Sequence, residues 1–237
     1  PQQRRGRVVA ASLVAVACAV ALVVSVVGLV LELNRAPTAA ERGRAAAEEV
    51  AGRWRVWPAE KIFPVTVPYT LEVGGQESAR RIGIGPGGAC DAAVDAPLRA
   101  PLRTYGCLAV LRATYLDQLQ GLAITVGVVA FPDERTAAQA AGRLPSDEKA
   151  VPGLRTLAFP GTEVGRFGDA ARQVGAVLHR GPYVVLATIG YADGRPAAET
   201  KQTQAYLNEV VPQPAERILS ALATPARPDC ASPEWSC

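Results

Sequence analysis

The residues best suited to chemistry in this chain are one histidine, five cysteines and a glycine-rich run. The run Gly83–Gly88 matches G-x-G-x-x-G, a pattern that in dinucleotide-binding loops holds a pyrophosphate at a helix N-terminus. That use needs a preceding strand, a helix opening on the last glycine and an acid about 20 residues later. Pro86 interrupts the run and Cys90 follows closely. The sequence therefore favours a tight loop that presents Cys90 to a disulfide partner.

His179 is the single histidine, and it alternates with Val177 and Gly175 on a predicted strand. No G-x-S-x-G motif marks a nucleophile for it, and carboxylate pairs such as Glu48-Glu49 have the pattern of solvated helix faces. We therefore predict no enzyme, with no catalytic residue and no cofactor. A hydrolase built around His179 stays as the third hypothesis.

Four cysteines follow the apolar N-terminal segment, and their even number favours two disulfides in an oxidising compartment. Three connectivities are open. Proximity favours Cys90 with Cys107 and Cys230 with Cys237, because short loops close at lower entropic cost. A zinc site would need C-x-x-C spacing or histidine partners, so we predict no metal.

Val8 to Leu31 are 24 consecutive residues without a charge. A helix of this length reaches about 36 Å, enough for a ~30 Å hydrocarbon core. Arg4, Arg5 and Arg7 precede it, so the positive-inside rule places the N-terminus in the cytoplasm and the rest outside. The run is longer than the apolar region of a cleaved signal peptide, and thirteen apolar residues follow Cys18, which argues against a lipoprotein.

The charge balance excludes a basic nucleic-acid-binding domain and an acidic tail. The chain has 25 basic and 22 acidic residues, and the excess of three lies entirely in the arginines before the apolar run. We therefore expect no nucleic-acid partner.

An aromatic and basic segment follows the first predicted helix after the membrane, a stalk that opens with the capping box Thr38–Glu41. Its side chains suit two uses: a plug that packs the stalk against the domain, which we favour, or a patch that binds a partner or the membrane interface. The candidate patch residues are Trp54, Arg55, Trp57 and Phe63.

Alternating β-rich runs predict two hairpins, at 105–131 and 173–191, each followed by a helix. Val65–Val73 suits an edge strand because it contains Pro68, and a short strand is expected at Leu154–Phe159. This order predicts an α+β fold: an N-terminal transmembrane helix, then an antiparallel sheet covered on one side by helices and stapled by disulfides. The predicted regions are a cytoplasmic tail (1–7), a transmembrane helix (8–31), a stalk helix and linker (32–60), an extracytoplasmic α+β domain (61–223) and a Pro-rich tail (224–237).

The predicted order of hairpins and helices behind one anchor resembles small extracytoplasmic domains of the actinobacterial envelope, such as kinase sensor domains and cell-wall lipoproteins. This likeness covers about residues 100–223. The strings RWRVWPAEKIFP, RIGIGPGGAC, GCLAVLRATY and TVGVVAFPD resemble an uncharacterised actinobacterial family of single-pass membrane proteins. That family implies a membrane location and supplies no activity.

The sequence therefore predicts a single-pass cell-membrane protein with its main domain outside the cytoplasm. Its predicted role is binding another envelope protein, in assembly, secretion or division. The alternative is a domain that binds a small molecule or lipid in a pocket between sheet and helices.

Overall fold

The computed structural model describes residues 2–70, 75–145, 149–196, 201–227 and 229–230. The described chain forms two compact units: residues up to Arg44 with 229–230, and Ala45–Arg227.

The first unit contains helix α1, Gln2–Asn34. Within α1, Ala15–Asn34 spans 20 residues with a mean hydropathy of 2.7, and none of it is buried. By length and composition this helix can cross a membrane, and a signal sequence near an N-terminus has the same properties. It is therefore a candidate anchor or signal sequence.

Helix α2, Ala39–Val56, begins at the predicted capping box. The Thr38 hydroxyl accepts a hydrogen bond from the Glu41 backbone N–H at 3.2 Å, and the Glu41 carboxylate accepts one from the Thr38 backbone N–H at 2.7 Å. Arg35 donates to Glu32 and Glu41 at 2.6 Å each. The hydrogen bond from Arg35 is the main reason that the pKa of Glu41 lies below its ordinary value.

The second unit contains one six-stranded antiparallel sheet of order β1-β2-β3-β4-β6-β5. Its strands are β1 Thr66–Thr70, β2 Gln76–Ile84, β3 Ala109–Asp117, β4 Leu122–Ala130, β5 Arg172–Arg180 and β6 Tyr183–Tyr191. Its helices, besides the end of α2, are α3 Ala59–Ile62, α4 Cys90–Ala93, α5 Ala96–Thr104, α6 Glu134–Ala141, α7 Lys201–Val210 and α8 Pro212–Ala223, with a 3₁₀ helix at Asp169–Ala171.

The predicted α+β class is confirmed, including the hairpins β3–β4 and β5–β6 and a disulfide. The sheet is covered on both faces, whereas we expected helices on one side. On one face Ile124 and Val126 pack against α8, and on the other Val184 and Leu186 pack near α6. The central strand β4 carries no charged residue and has apolar side chains on both faces, so both faces have to be covered, and every residue of β4 is buried.

Residues 149–171, which we call the strap, cross the second face without forming a strand. The predicted strand at Leu154–Phe159 is wrong, since only Leu154 makes an isolated bridge, to Val94. Side chains of the sheet hold the strap instead: the Thr114 hydroxyl donates to the Leu157 carbonyl at 2.7 Å, and the Leu157 N–H donates to the Thr125 hydroxyl at 3.2 Å.

Glycines make room for the strap where it lies on the sheet. A Cβ on Gly83 would lie 2.5 Å from the Phe159 ring, and one on Gly85 would lie 2.8 Å from Leu157. Gly127 faces Leu154 in the same way, at 2.7 Å. The strap therefore packs closely on the sheet because these glycines have no side chains to occupy the same space.

A buried ion pair fixes the strap at its ends. Arg172 donates to both carboxylate oxygens of Asp95, at 2.8 and 3.3 Å, and to the carbonyls of Ala150 and Leu154. Asp95 also accepts from the Gly153 N–H at 2.8 Å. The strap, the start of α5 and the start of β5 are thereby held together.

Candidate functional site

The aromatic and basic segment lies at the C-terminal end of α2, against the sheet and α8. The Tyr183 hydroxyl donates to the Val50 carbonyl at 2.5 Å and accepts from the Trp54 N–H at 3.3 Å. Burial raises the pKa of Tyr183 to about 12, so it stays a neutral donor at ordinary pH. This contact has the geometry of the plug that the sequence suggested.

Arg53 links this segment to the end of α8. It pairs with Glu49 at 2.6 Å and donates to the carbonyls of Leu222 and Thr224 at 2.9 and 2.8 Å. Its guanidinium also lies 4.6 Å from the centroid of the Trp57 ring. A cation at a helix C-terminus meets the unpaired carbonyls of the last turn, so Arg53 caps α8.

Phe63 does not belong to the surface part of the candidate patch. It is 0% exposed in the core, and its carbonyl accepts a hydrogen bond from Arg81. The residue directly follows α3, whose Ile62 is also buried. The sequence pattern of aromatic residues did not indicate that Phe63 is buried.

The other candidate patch residues lie at the surface or half-buried. Trp54 and Trp57 are half-buried, Arg55 is exposed, and Lys61 lies 3.7 Å over the Trp57 ring. Val56 beside them is 75% exposed. We call Trp54, Arg55, Val56 and Trp57 the α2 patch. Val56 was missed because a lone valine carries no sequence signal of exposure.

Cys90, Cys107 and Cys230 form disulfide bonds, and Cys18 in α1 is a free thiol. Cys90 and Cys107 are bonded, which is the pairing that proximity favoured. Cys230 is also disulfide-bonded, and its predicted partner Cys237 lies outside the described residues. Among the residues that the structure describes, no group of three or more His, Cys, Asp or Glu side chains has a geometry able to hold a metal ion.

His179 is exposed near the end of β5, two residues before the turn Gly181-Pro182. In the described part of the chain no side chain hydrogen-bonds to it. The glycine run has a packing role: Gly83 and Gly85 face the strap, and the next helix, α4, begins at Cys90 and has only 4 residues. The geometry needed to hold a pyrophosphate is not formed there.

A cavity of about 500 Å³ lies beside α2, the β5–β6 turn and the end of α8. Val50, Pro132, Pro182 and Ala223 are among its apolar lining residues, and Glu48, Asp133 and Glu134 add carboxylates. The hydrogen bond from the Thr136 backbone N–H is the main cause that holds the pKa of Asp133 below its ordinary value. The size falls in the range of small-molecule pockets.

Residues 62–216 match a family described as domain of unknown function (DUF7373), N-terminal. The chain belongs to this family. The matched region of DUF7373 runs from the end of α3 into α8 and so contains the whole sheet, the strap and the Cys90–Cys107 bond. No curated protein and no solved structure matches the chain.

Proposed function

We propose that this DUF7373 protein is a non-catalytic, single-pass membrane protein whose unit Ala45–Arg227 lies outside the cytoplasm and binds another protein of the cell envelope. The observation that carries the proposal is the α2 patch. Trp and Arg are the residue types most enriched where proteins bind one another, and an exposed valine beside them adds apolar area.

The location rests on three features. Helix α1 is long and apolar enough to be an anchor. Arg4, Arg5 and Arg7 come before its apolar part, which favours a cytoplasmic N-terminus. The Cys90–Cys107 bond favours an oxidising compartment for the domain.

The α2 patch is suited to binding because its base is rigid. The Trp57 ring is contacted by the cations of Arg53 and Lys61, and Tyr183 accepts a hydrogen bond from the backbone N–H of Trp54. A rigid aromatic surface loses little conformational entropy when a partner covers it.

The proposal is tested by crosslinking in the native membrane, followed by purification of the full chain from detergent. We expect a discrete crosslinked complex that is lost in a variant with Arg55→Glu and Val56→Glu. Leu119→Glu is the matched control, because Leu119 is 85% exposed and lies in the β3–β4 turn. The proposal is contradicted if the chain, expressed at native abundance, purifies without a crosslinked partner. It is also contradicted if Leu119→Glu reduces the amount of the complex as much as the patch variant does.

The 500 Å³ cavity favours a second candidate function, the binding of a small amphipathic molecule. Its place differs from the expected pocket between sheet and helices, where residues such as Ile124 and Val185 are 0% exposed and fill the interface. Since the three lining carboxylates outnumber the one lining cation, Arg180, a cationic head group is favoured.

Native mass spectrometry with dodecylamine, and with dodecanoate as the matched anion, tests this second function. We expect the amine alone to bind, and Ala51→Trp to reduce its binding by filling the cavity. Equal binding of the two probes, or binding unaffected by Ala51→Trp, removes this candidate.

A further inference from the structure

The two edge strands of the sheet, β1 and β5, differ in whether their outer backbone groups have hydrogen-bond partners. At β1, Pro68 lacks a backbone donor, and the Gln213 side chain pairs with Thr70 as a strand would. Its amide donates to the Thr70 carbonyl at 2.8 Å, while its oxygen accepts from the Thr70 N–H at 2.8 Å. This edge is therefore closed to a further strand.

At the other edge, the outer side of β5 is paired, among the described residues, at its start alone, where Lys149 bridges Val174. The turn Gly181-Pro182 makes a two-residue hairpin, in which the flanking residues Arg180 and Tyr183 form a hydrogen-bonded pair. Alternation then places the N–H and C=O groups of Val177 and His179 on the outer side. Within the described ranges no backbone group pairs with them.

A recessed groove of about 210 Å³ lies against the Gly175–Leu178 part of this edge. Pro152 and Leu154 of the strap form one wall, and Val211 and Pro212 at the α7–α8 junction form the other. Unpaired backbone groups at the base of an apolar groove are the arrangement that receives an added β-strand.

The dimensions favour a peptide segment over a second copy of this chain. The open stretch Ala176–Arg180 is about 16 Å long, and an edge of that length and about 10 Å thickness buries on the order of 300 Å² over both partners. Stable dimers bury at least about 1,200 Å².

We infer that the β5 edge binds an extended segment of a partner protein, free of proline and with small apolar side chains at alternate positions. The segment adds as a seventh strand next to β5. This inference rests on the proposed role in protein binding and names a second surface for it, distinct from the α2 patch.

The first test needs no ligand. In the full chain in detergent micelles, amide hydrogen exchange should be fast at Val177 and His179 and slow at Ala176 and Leu178, whose N–H groups lie in the ladder to β6. Protection of Val177 and His179 in the free chain means that the edge is already covered, and overturns the inference.

The second test uses a displayed library of random peptides selected against the full chain. We expect selected peptides to bind wild type and Val177→Ala, and to lose at least about tenfold in affinity with Val177→Pro, which removes one outward donor and blocks the edge. Methylation of alternate backbone nitrogens in the peptide should cause a similar loss.

Thermal unfolding is used to check that Val177→Pro is folded. If Val177→Pro does not fold, His179→Pro takes its place. Failure to select any peptide, or equal binding to the proline and alanine variants, overturns the inference. A crosslinked complex that depends on Arg55 and Val56 would still stand in that case, so the two proposals fail separately.

Discussion

Replacing Arg172 with methionine tests whether the strap is held by its buried ion pair. Only 5% of the Arg172 side chain is exposed, and it donates to Asp95 and to the strap carbonyls of Ala150 and Leu154. Arg172→Met leaves a largely buried carboxylate and two carbonyls without this donor. Breaking a buried pair by removing one partner costs about 3–5 kcal/mol.

For a unit of this size each kcal/mol lowers the melting temperature by about 2–4 °C, so we expect a loss of roughly 6–20 °C. Denaturant unfolding of the full chain in detergent, followed by tryptophan fluorescence, measures the free energy. Arg155→Met is the control, since Arg155 pairs with Asp169 at 2.8 Å but is 46% exposed. Exposed pairs contribute at most about 1 kcal/mol.

A double-mutant cycle separates the ion pair from the rest of the site. Asp95→Leu with Arg172→Met removes both charges, so the double variant should lose about 1–3 kcal/mol less than the sum of the single losses. If Arg172→Met costs no more than Arg155→Met, or the two single losses simply add, the pair does not fix the strap.

Three further outcomes are expected. Replacing Cys90 and Cys107 together by alanine should cost about 3 kcal/mol in urea unfolding, the chain-entropy value for a loop of 17 residues, and a loss below about 1 kcal/mol would contradict it. Gly190→Ala should cost about 1–3 kcal/mol of folding free energy, because the added methyl would meet the strap backbone. Gly52→Ala is the control: a methyl at Gly52 would have no atom within 4 Å, so this change should stabilise α2 by about 0.5–1 kcal/mol. Equal effects of the two changes would refute the packing argument. Burial raises the pKa of Tyr183 to about 12, so the contribution of Tyr183 to stability should be complete below pH ~10 and decline between pH ~10 and 12. Thermal unfolding over that pH range measures this decline, which should be absent in Tyr183→Phe.

Local patterns were enough to predict much of the sheet. Alternation located both hairpins, Pro68 marked an edge strand, and the four residues Thr38–Glu41 predicted the start of α2. Each of these features depends on neighbours in sequence or on a short turn. The Cys90–Cys107 pairing was favoured for the same reason, because its loop is short.

The strap and the inward position of Phe63 depend on contacts between distant residues. Gly83 and Gly85 were interpreted as loop glycines, although Gly83 lies in β2 and both make space for strap side chains more than 70 positions later. The absence of a Cβ leaves no hydrophobic pattern that would indicate which segment fills the space. The sequence singled out Trp54, Arg55 and Trp57 of the α2 patch but missed Val56, and it gave no sign of the groove beside β5.

The way the strap is held bears on where a partner can bind. Its backbone groups meet Thr114, Thr125 and Arg172, and its side chains fill the space over the glycines, so displacing it would expose both polar and apolar groups. Opening the sheet face to admit a ligand is therefore costly. At the β5 edge the outward groups of Val177 and His179 have no such partner among the described residues. A strand added there replaces hydrogen bonds to water and breaks none within the protein, which favours this edge over the sheet face as a binding surface.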